Sequence, residues 1–144
     1  GLPMIHACTD ITGFGLLGHL GEMLCASNAR RRNLGLSELR VRIEAQSIPS
    51  LQGALTLLEA GYSSTLSPAN RGAWSFLDSI GNIPALVELD LGDIAPGSKR
   101  HKGLLELIVD PQTCGPLVVA CSSIFAKELL REGPWQFIGR VQST

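Results

Sequence analysis

Asp10 follows an apolar run and stands three residues before a pair of glycines, in His6-Ala7-Cys8-Thr9-Asp10-Ile11-Thr12-Gly13-Phe14-Gly15. A carboxylate is a hard oxygen ligand, and magnesium is commonly held by one or two carboxylates together with substrate phosphate oxygens. The glycines open an amphipathic stretch, and a helix N-terminus offers free N–H groups and the positive end of a dipole to a phosphate. Carboxylate and phosphate-facing helix on one turn make a sound ATP–magnesium site. The same residues also describe an aspartate that only caps a helix. The residue types alone leave both readings open. Gly13-Phe14-Gly15-Leu16-Leu17-Gly18 spells G-x-G-x-x-G after a strand, but the acidic residue a dinucleotide site needs about 20 positions on is poorly placed. Glu38 is the candidate, and it precedes a strand where the pattern wants a residue that ends one.

The elements that must position this turn can be read from periodicity. Residues 4–11 read as a strand. Phe14, Leu16, Leu17, Leu20, Met23 and Leu24 predict a helix over 13–27 that ends at Ser27-Asn28, followed by a loop over 28–38. Leu39 to Ala45 alternates as a half-buried strand. Leu51–Ala60 is expected to be a short helix closed by Gly61. Ser67 as N-cap and Pro68 at the first helical position predict a helix through Ile80. Residues 81–102 are polar and broken by Gly and Pro, with a short strand possible at Ala85–Leu89. Leu104–Val109 and Leu117–Cys121 read as strands, Ile124–Arg131 as a helix ended by Gly133-Pro134, and Trp135–Val141 as a last strand. Strands and helices mix without clean βαβ alternation. The expected fold is therefore α+β, a mixed, largely antiparallel sheet with packed helices.

Composition narrows the function. The 144 residues suit a single domain, 1–144, with its own core. Apolar residues are 44%, charged residues 17%, and the net charge is −1, which gives no field for nucleic acid or an acidic membrane. Arg30 to Arg32 is read as a solvated helix end or loop. Cys8, Cys25, Cys114 and Cys121 show no Cys-x-x-Cys spacing and sit among apolar neighbours, so buried thiols in a reducing, cytoplasmic setting are expected. No apolar run reaches the ~18 residues of a membrane span, and no signal peptide is read. The chain starts at Gly1, close to a strand, as an excised domain or fragment would.

The block Ala7-Cys8-Thr9-Asp10-Ile11-Thr12-Gly13-Phe14-Gly15-Leu16-Leu17-Gly18-His19 resembles the signature of the selenophosphate synthetase (selenide, water dikinase) family. Aminoimidazole ribonucleotide (AIR) synthetase and other members of that ATP-binding superfamily share parts of it. Leu107 to Leu117 resembles the family's Asp-Pro-Gln-Thr-Ser-Gly-Gly-Leu stretch. Pro49–Gly61 with Asn70-Arg71 resembles its middle, and Ile138–Val141 its closing strand. The resemblance covers essentially the whole chain but only the C-terminal domain of the family. It implies an AIR synthetase C-terminal-domain-like fold, and a parent enzyme that makes selenophosphate from selenide and ATP, releasing AMP and phosphate. It implies Asp10 as a magnesium ligand, with Thr12, Gly13 and Gly15 lining the nucleotide, and no catalytic residue in this chain. The N-terminal ATP-binding domain, with the reactive Cys or selenocysteine, becomes the expected partner within a homodimeric parent, and the isolated domain is expected to be inactive. Other superfamily enzymes (an amidine-forming purine enzyme, a thiamine-phosphate kinase, a hydrogenase maturation factor) and a non-catalytic packing or assembly module are the alternatives.

Two departures stand out. Cys114 replaces the family serine, and Pro116 replaces a glycine and removes an N–H donor. Four side chains carry bland readings at this stage. These are His19 as a structural histidine, Asn70 and Arg71 as solvated surface, and Asp110 as a turn former. Thr12 reads as a helix N-cap as readily as a phosphate contact.

Overall fold

The computed structural model describes residues 4–144. Its longest element is the helix α1, Gly15–Asn33, which buries Leu17, Leu20 and Leu24 along one stripe. Each of these side chains contributes about 2 kcal/mol on leaving water. That outweighs the ~1 kcal/mol penalty of each helical glycine, and Gly21 lets the Phe76 ring lie directly on the helix backbone.

Beneath α1 lies a three-stranded sheet. Its strands are β2 (Leu39–Glu44), β3 (Val87–Asp90) and β5 (Gly139–Ser143), in the order β3-β2-β5. β2 pairs parallel with β3 and antiparallel with β5. Val41, Ile43 and Val87 point into the same core as the α1 leucines, together with Ile108 and Val109. A second, two-stranded sheet pairs β1 (Ile5–Asp10) with β4 (Leu117–Cys121) antiparallel, Asp10 opposite Leu117. The fold is α+β and largely antiparallel, as the pattern predicts, but its strands divide between two small sheets. Short helices α2 (Ala54–Glu59), α3 (Ser67–Asn70), α4 (Lys99–Leu107) and α5 (Ser123–Glu132) complete it, with a 3-10 segment at Arg71–Leu77 after α3.

Several elements differ from the sequence reading, each for a physical reason. α1 does not stop at Asn28. That side chain is buried, donates from Nδ2 to Leu39 O at 2.9 Å and accepts from Leu39 N at 2.7 Å, so it stands in for a strand neighbour at the start of β2. The arginines Arg30 to Arg32 then form the last helical turn, where positive charge suits the dipole. Leu104–Val109 is the end of α4 and the turn after it, not a strand. Ser98 caps α4 by accepting from His101 N at 3.1 Å, and Leu104 and Ile108 recur at helical spacing. Ser67 is the first residue of α3 and not its cap; its hydroxyl is buried without a hydrogen-bond partner. The helix expected through Ile80 is one α-helical turn followed by the 3-10 segment. The last strand begins at Gly139, four residues later than expected.

The thiols depart too. Cys8, Cys25 and Cys114 are exposed and Cys121 is half-buried. Cys8 lies on the two-stranded ribbon, where among the described residues no further strand covers it, and burial pushes the Cys121 thiol up. Among the described residues no helix is long and apolar enough to cross a membrane.

Candidate functional site

Two segments far apart in sequence build the Asp10 turn. Ile11 is buried and its N–H donates to Pro116 O at 2.9 Å, extending the β1–β4 ladder beyond Asp10. Pro116 thus contributes the one backbone group it still has. Beside it, a Cβ on Gly115 would collide with the Ile11 carbonyl oxygen. The two motif blocks touch backbone to backbone, and only glycine fits at that crossing. Gln112 N donates to Thr12 O at 3.1 Å, and Gly15 N to the same carbonyl at 3.0 Å.

Gly15 has φ +70°, a conformation that costs other residues about 1–2 kcal/mol. A Cβ there would lie 2.7 Å from the Val109 carbonyl carbon. Leu17 N, in the first turn of α1, donates to Ile108 O at 2.8 Å. Close packing on the 108–109 turn therefore accounts for Gly15 without any ligand. Gly13 is different: nothing lies within 4 Å of the position its Cβ would take, and its φ is ordinary.

Asn70 holds this arrangement from α3. Its Nδ2 donates to Gly13 O at 2.8 Å and to Val109 O at 3.0 Å, joining three segments. Next to it, Arg71 Nε donates to Glu106 Oε1 at 2.9 Å and the guanidinium lies over Trp74. Neither residue is free surface, as the sequence suggests. Both are half-buried, and Asn70 is the residue of the turn that local reasoning misses, because its partners are distant along the chain.

Thr12 makes no cap. Phe14 is the N-cap of α1 and has no side-chain cap bond. The Thr12 hydroxyl is instead bonded to His19 Nε2 at 2.9 Å, while His19 Nδ1 lies 3.5 Å from Glu22 Oε2 and the His19 ring leans on Phe14. The imidazole bridges the Thr12 hydroxyl and the Glu22 carboxylate through its two ring nitrogens. His19 is thus a hydrogen-bonded structural histidine that orients Thr12.

Asp10 ends β1 with its side chain exposed. Among the described residues its carboxylate enters no ion pair, and no group of three or more His, Cys, Asp or Glu side chains gathers anywhere. Such a donor set fits a magnesium ion that takes one carboxylate here and its remaining oxygens from phosphate, water and another protein surface. It does not fit a closed, all-protein metal cage. Asp110, the other acid on the turn, is half-buried and follows α4. Burial raises its pKa; the hydrogen bond from Gln112 Nε2 at 3.0 Å works against this, and nearby Glu106 adds to it.

The model of the AIR synthase related protein C-terminal domain matches residues 2–144. The chain belongs to that family. Its relatives with described functions include the selenide, water dikinases of Pelobacter propionicus (36% identical over 126 residues, 88% of this chain and 29% of that protein) and Paraburkholderia xenovorans (36% over 129 residues, 90% and 29%). The Clostridium botulinum selenide, water dikinase is 32% identical over 126 residues, again 88% of this chain and 29% of the relative. This AIR synthase related domain thus spans about three tenths of the length of these relatives.

Proposed function

We propose that this domain is the C-terminal part of a selenide, water dikinase and supplies one wall of its ATP cleft. The parent reaction would convert selenide and ATP into selenophosphate, AMP and phosphate. The observation that carries the reading is the Asp10 carboxylate, which among the described residues enters no ion pair and stands exposed on a turn whose surroundings are otherwise tightly bonded. A stable fold does not need a free carboxylate there, whereas a phosphate–magnesium complex does.

In this reading Asp10 is the domain's magnesium ligand, and bound magnesium would neutralise triphosphate charge. Thr12, Gly13 and Gly15 shape the nucleotide side. Thr12, its hydroxyl held by His19, offers an oxygen to a cation or its water shell. Gly13 supplies the open backbone a phosphate can approach, and Gly15 fixes the turn that presents both. The rest of the cleft belongs to an N-terminal ATP-binding domain in a homodimeric parent. The apolar surface at the turn supports such a docking partner: Phe14, and Leu117 opposite Asp10, are each a little over half exposed.

The 144-residue chain alone should then make no selenophosphate, because positioning the triphosphate needs both walls. The test is selenide-dependent AMP formation, measured for the full-length parent and for this chain. Activity in the parent and silence in the domain support the proposal. Robust ATP consumption by the isolated chain overturns it, and a parent that turns over ATP with no need for selenide assigns the domain to another superfamily enzyme.

A further inference from the structure

Thr12 is fixed at its side chain as well as at its backbone. Its carbonyl accepts from Gly15 N at 3.0 Å and from Gln112 N at 3.1 Å. Its hydroxyl is bonded to His19 Nε2 at 2.9 Å, although the N-cap of α1 is Phe14 and the helix takes no side-chain cap. A threonine hydroxyl has more than one staggered position open to it. The bond to the imidazole selects one.

His19 is braced in turn. Nδ1 lies 3.5 Å from Glu22 Oε2, and the ring meets Phe14 with centroids 5.6 Å apart and planes at 48°. Phe14 reaches it by folding back over Gly18, where a Cβ would lie 2.8 Å from the Phe14 Cβ. The imidazole is only 12% exposed, whereas Glu22 is 64% exposed.

The fold draws little from this chain of contacts. A side-chain hydrogen bond contributes about 1 kcal/mol net, and α1 is already held by Leu17, Leu20 and Leu24 in the core. What the bond to His19 fixes is the direction of one hydroxyl, two residues from Asp10 and next to Gly13 with its open surroundings. At metal sites, losing the partner that orients a donor group costs about 10–100-fold in affinity or activity. We propose that His19 is a positioning residue for the magnesium–phosphate complex, acting through the Thr12 hydroxyl and itself held by Glu22 and by Phe14 over Gly18. The inference rests on the Asp10 reading above and names the residue that aims the Thr12 oxygen.

The test contrasts His19→Gln with His19→Asn. A Gln amide puts its polar end near the Nε2 position, toward Thr12; an Asn amide puts it near Nδ1, toward Glu22. Three-bond couplings in the 13C,15N-labelled 144-residue chain report the Thr12 χ1 rotamer. In the full-length parent, selenide-dependent AMP formation is followed against magnesium concentration, with thermal unfolding of each variant. The expected result is one Thr12 rotamer in the wild type and His19→Gln, and averaging in His19→Asn. His19→Asn should raise the magnesium concentration for half-maximal activity about tenfold, with no matching fall in melting temperature, and His19→Gln should recover most of that loss. Thr12→Val should have a similar effect, and adding His19→Asn to it should change little further, because the two residues act as one unit. A Thr12 rotamer indifferent to His19, equal magnesium requirements in the Gln and Asn variants, or additive effects of His19→Asn and Thr12→Val would each overturn the proposal. A wild-type parent that turns over ATP without selenide fails the selenide reading alone; the magnesium dependence of that turnover and the Thr12 couplings still decide the role of His19. Should His19→Asn fail to fold, Glu22→Ala on the exposed side of the same helix decides, a severalfold rise in the magnesium requirement supporting the proposal and no change overturning it.

Discussion

On the Gly15 side of the Asp10 turn, backbone meets backbone. Gly15 lies against Val109, Leu17 N bonds Ile108 O, and Asn70 joins Gly13 to Val109. On the Asp10 and Gly13 side, a carboxylate points into solvent and the glycine α-carbon has open space beside it. Glycines two residues apart in one motif are therefore glycines for different reasons. One is required by the fold; the other is free of it and available to a ligand. A motif read as a uniform phosphate cradle hides that division of labour.

Substitutions can break or sharpen the contrast. The largest effect is expected for Gly15→Ala, which adds a left-handed penalty to a collision with Val109. It should cost about 3 kcal/mol of stability in a denaturant titration. A loss under about 0.5 kcal/mol would mean that the 108–109 turn yields easily. Asn70→Ala removes two partly buried hydrogen bonds and should cost about 2 kcal/mol, with faster amide exchange at Gln112 and Leu17 as the local signature.

A smaller effect comes from Asp110. Its folded-state pKa is raised, chiefly by burial. The folded state therefore holds the proton more tightly than the unfolded one, and the group's contribution is most favourable at low pH. It declines as pH rises through the ordinary aspartate range and stays lost above the raised folded value. The melting temperature of the wild type relative to Asp110→Asn should fall across that interval; a flat difference would contradict the assignment. Gly13→Ala should change stability least, by under about 0.5 kcal/mol, because its Cβ meets nothing. A large loss there would erase the distinction between the two sides.

The same contrast explains what the sequence reveals. Asp10 and its turn are legible because strand, turn and helix follow one another within a dozen residues. The β1, β2 and β4 strands, the body of α5 and the largely antiparallel α+β class are legible from alternation and turn residues for the same reason. α4 is not, because its polar first turn hides a helix whose apolar end imitates a short strand. Nor are the length of α1 and the roles of Gly15 and Asn70. Asn28 finds its partner 11 residues away, and Asn70 finds its partners 57 and 39 residues away. Short-range periodicity carries no trace of such partners. The exposure of Cys8 shows the same limit: an apolar neighbourhood in sequence does not bury a residue on a two-stranded ribbon.

The central claim is that Asp10 serves a ligand and not the fold. It is tested most directly by Asp10→Asn in the full-length parent, with selenide-dependent AMP formation and thermal unfolding measured on the same preparation. The account predicts that activity falls by about a hundredfold or more while the melting temperature stays unchanged. Undiminished activity, or a loss explained by a matching drop in melting temperature, would contradict it.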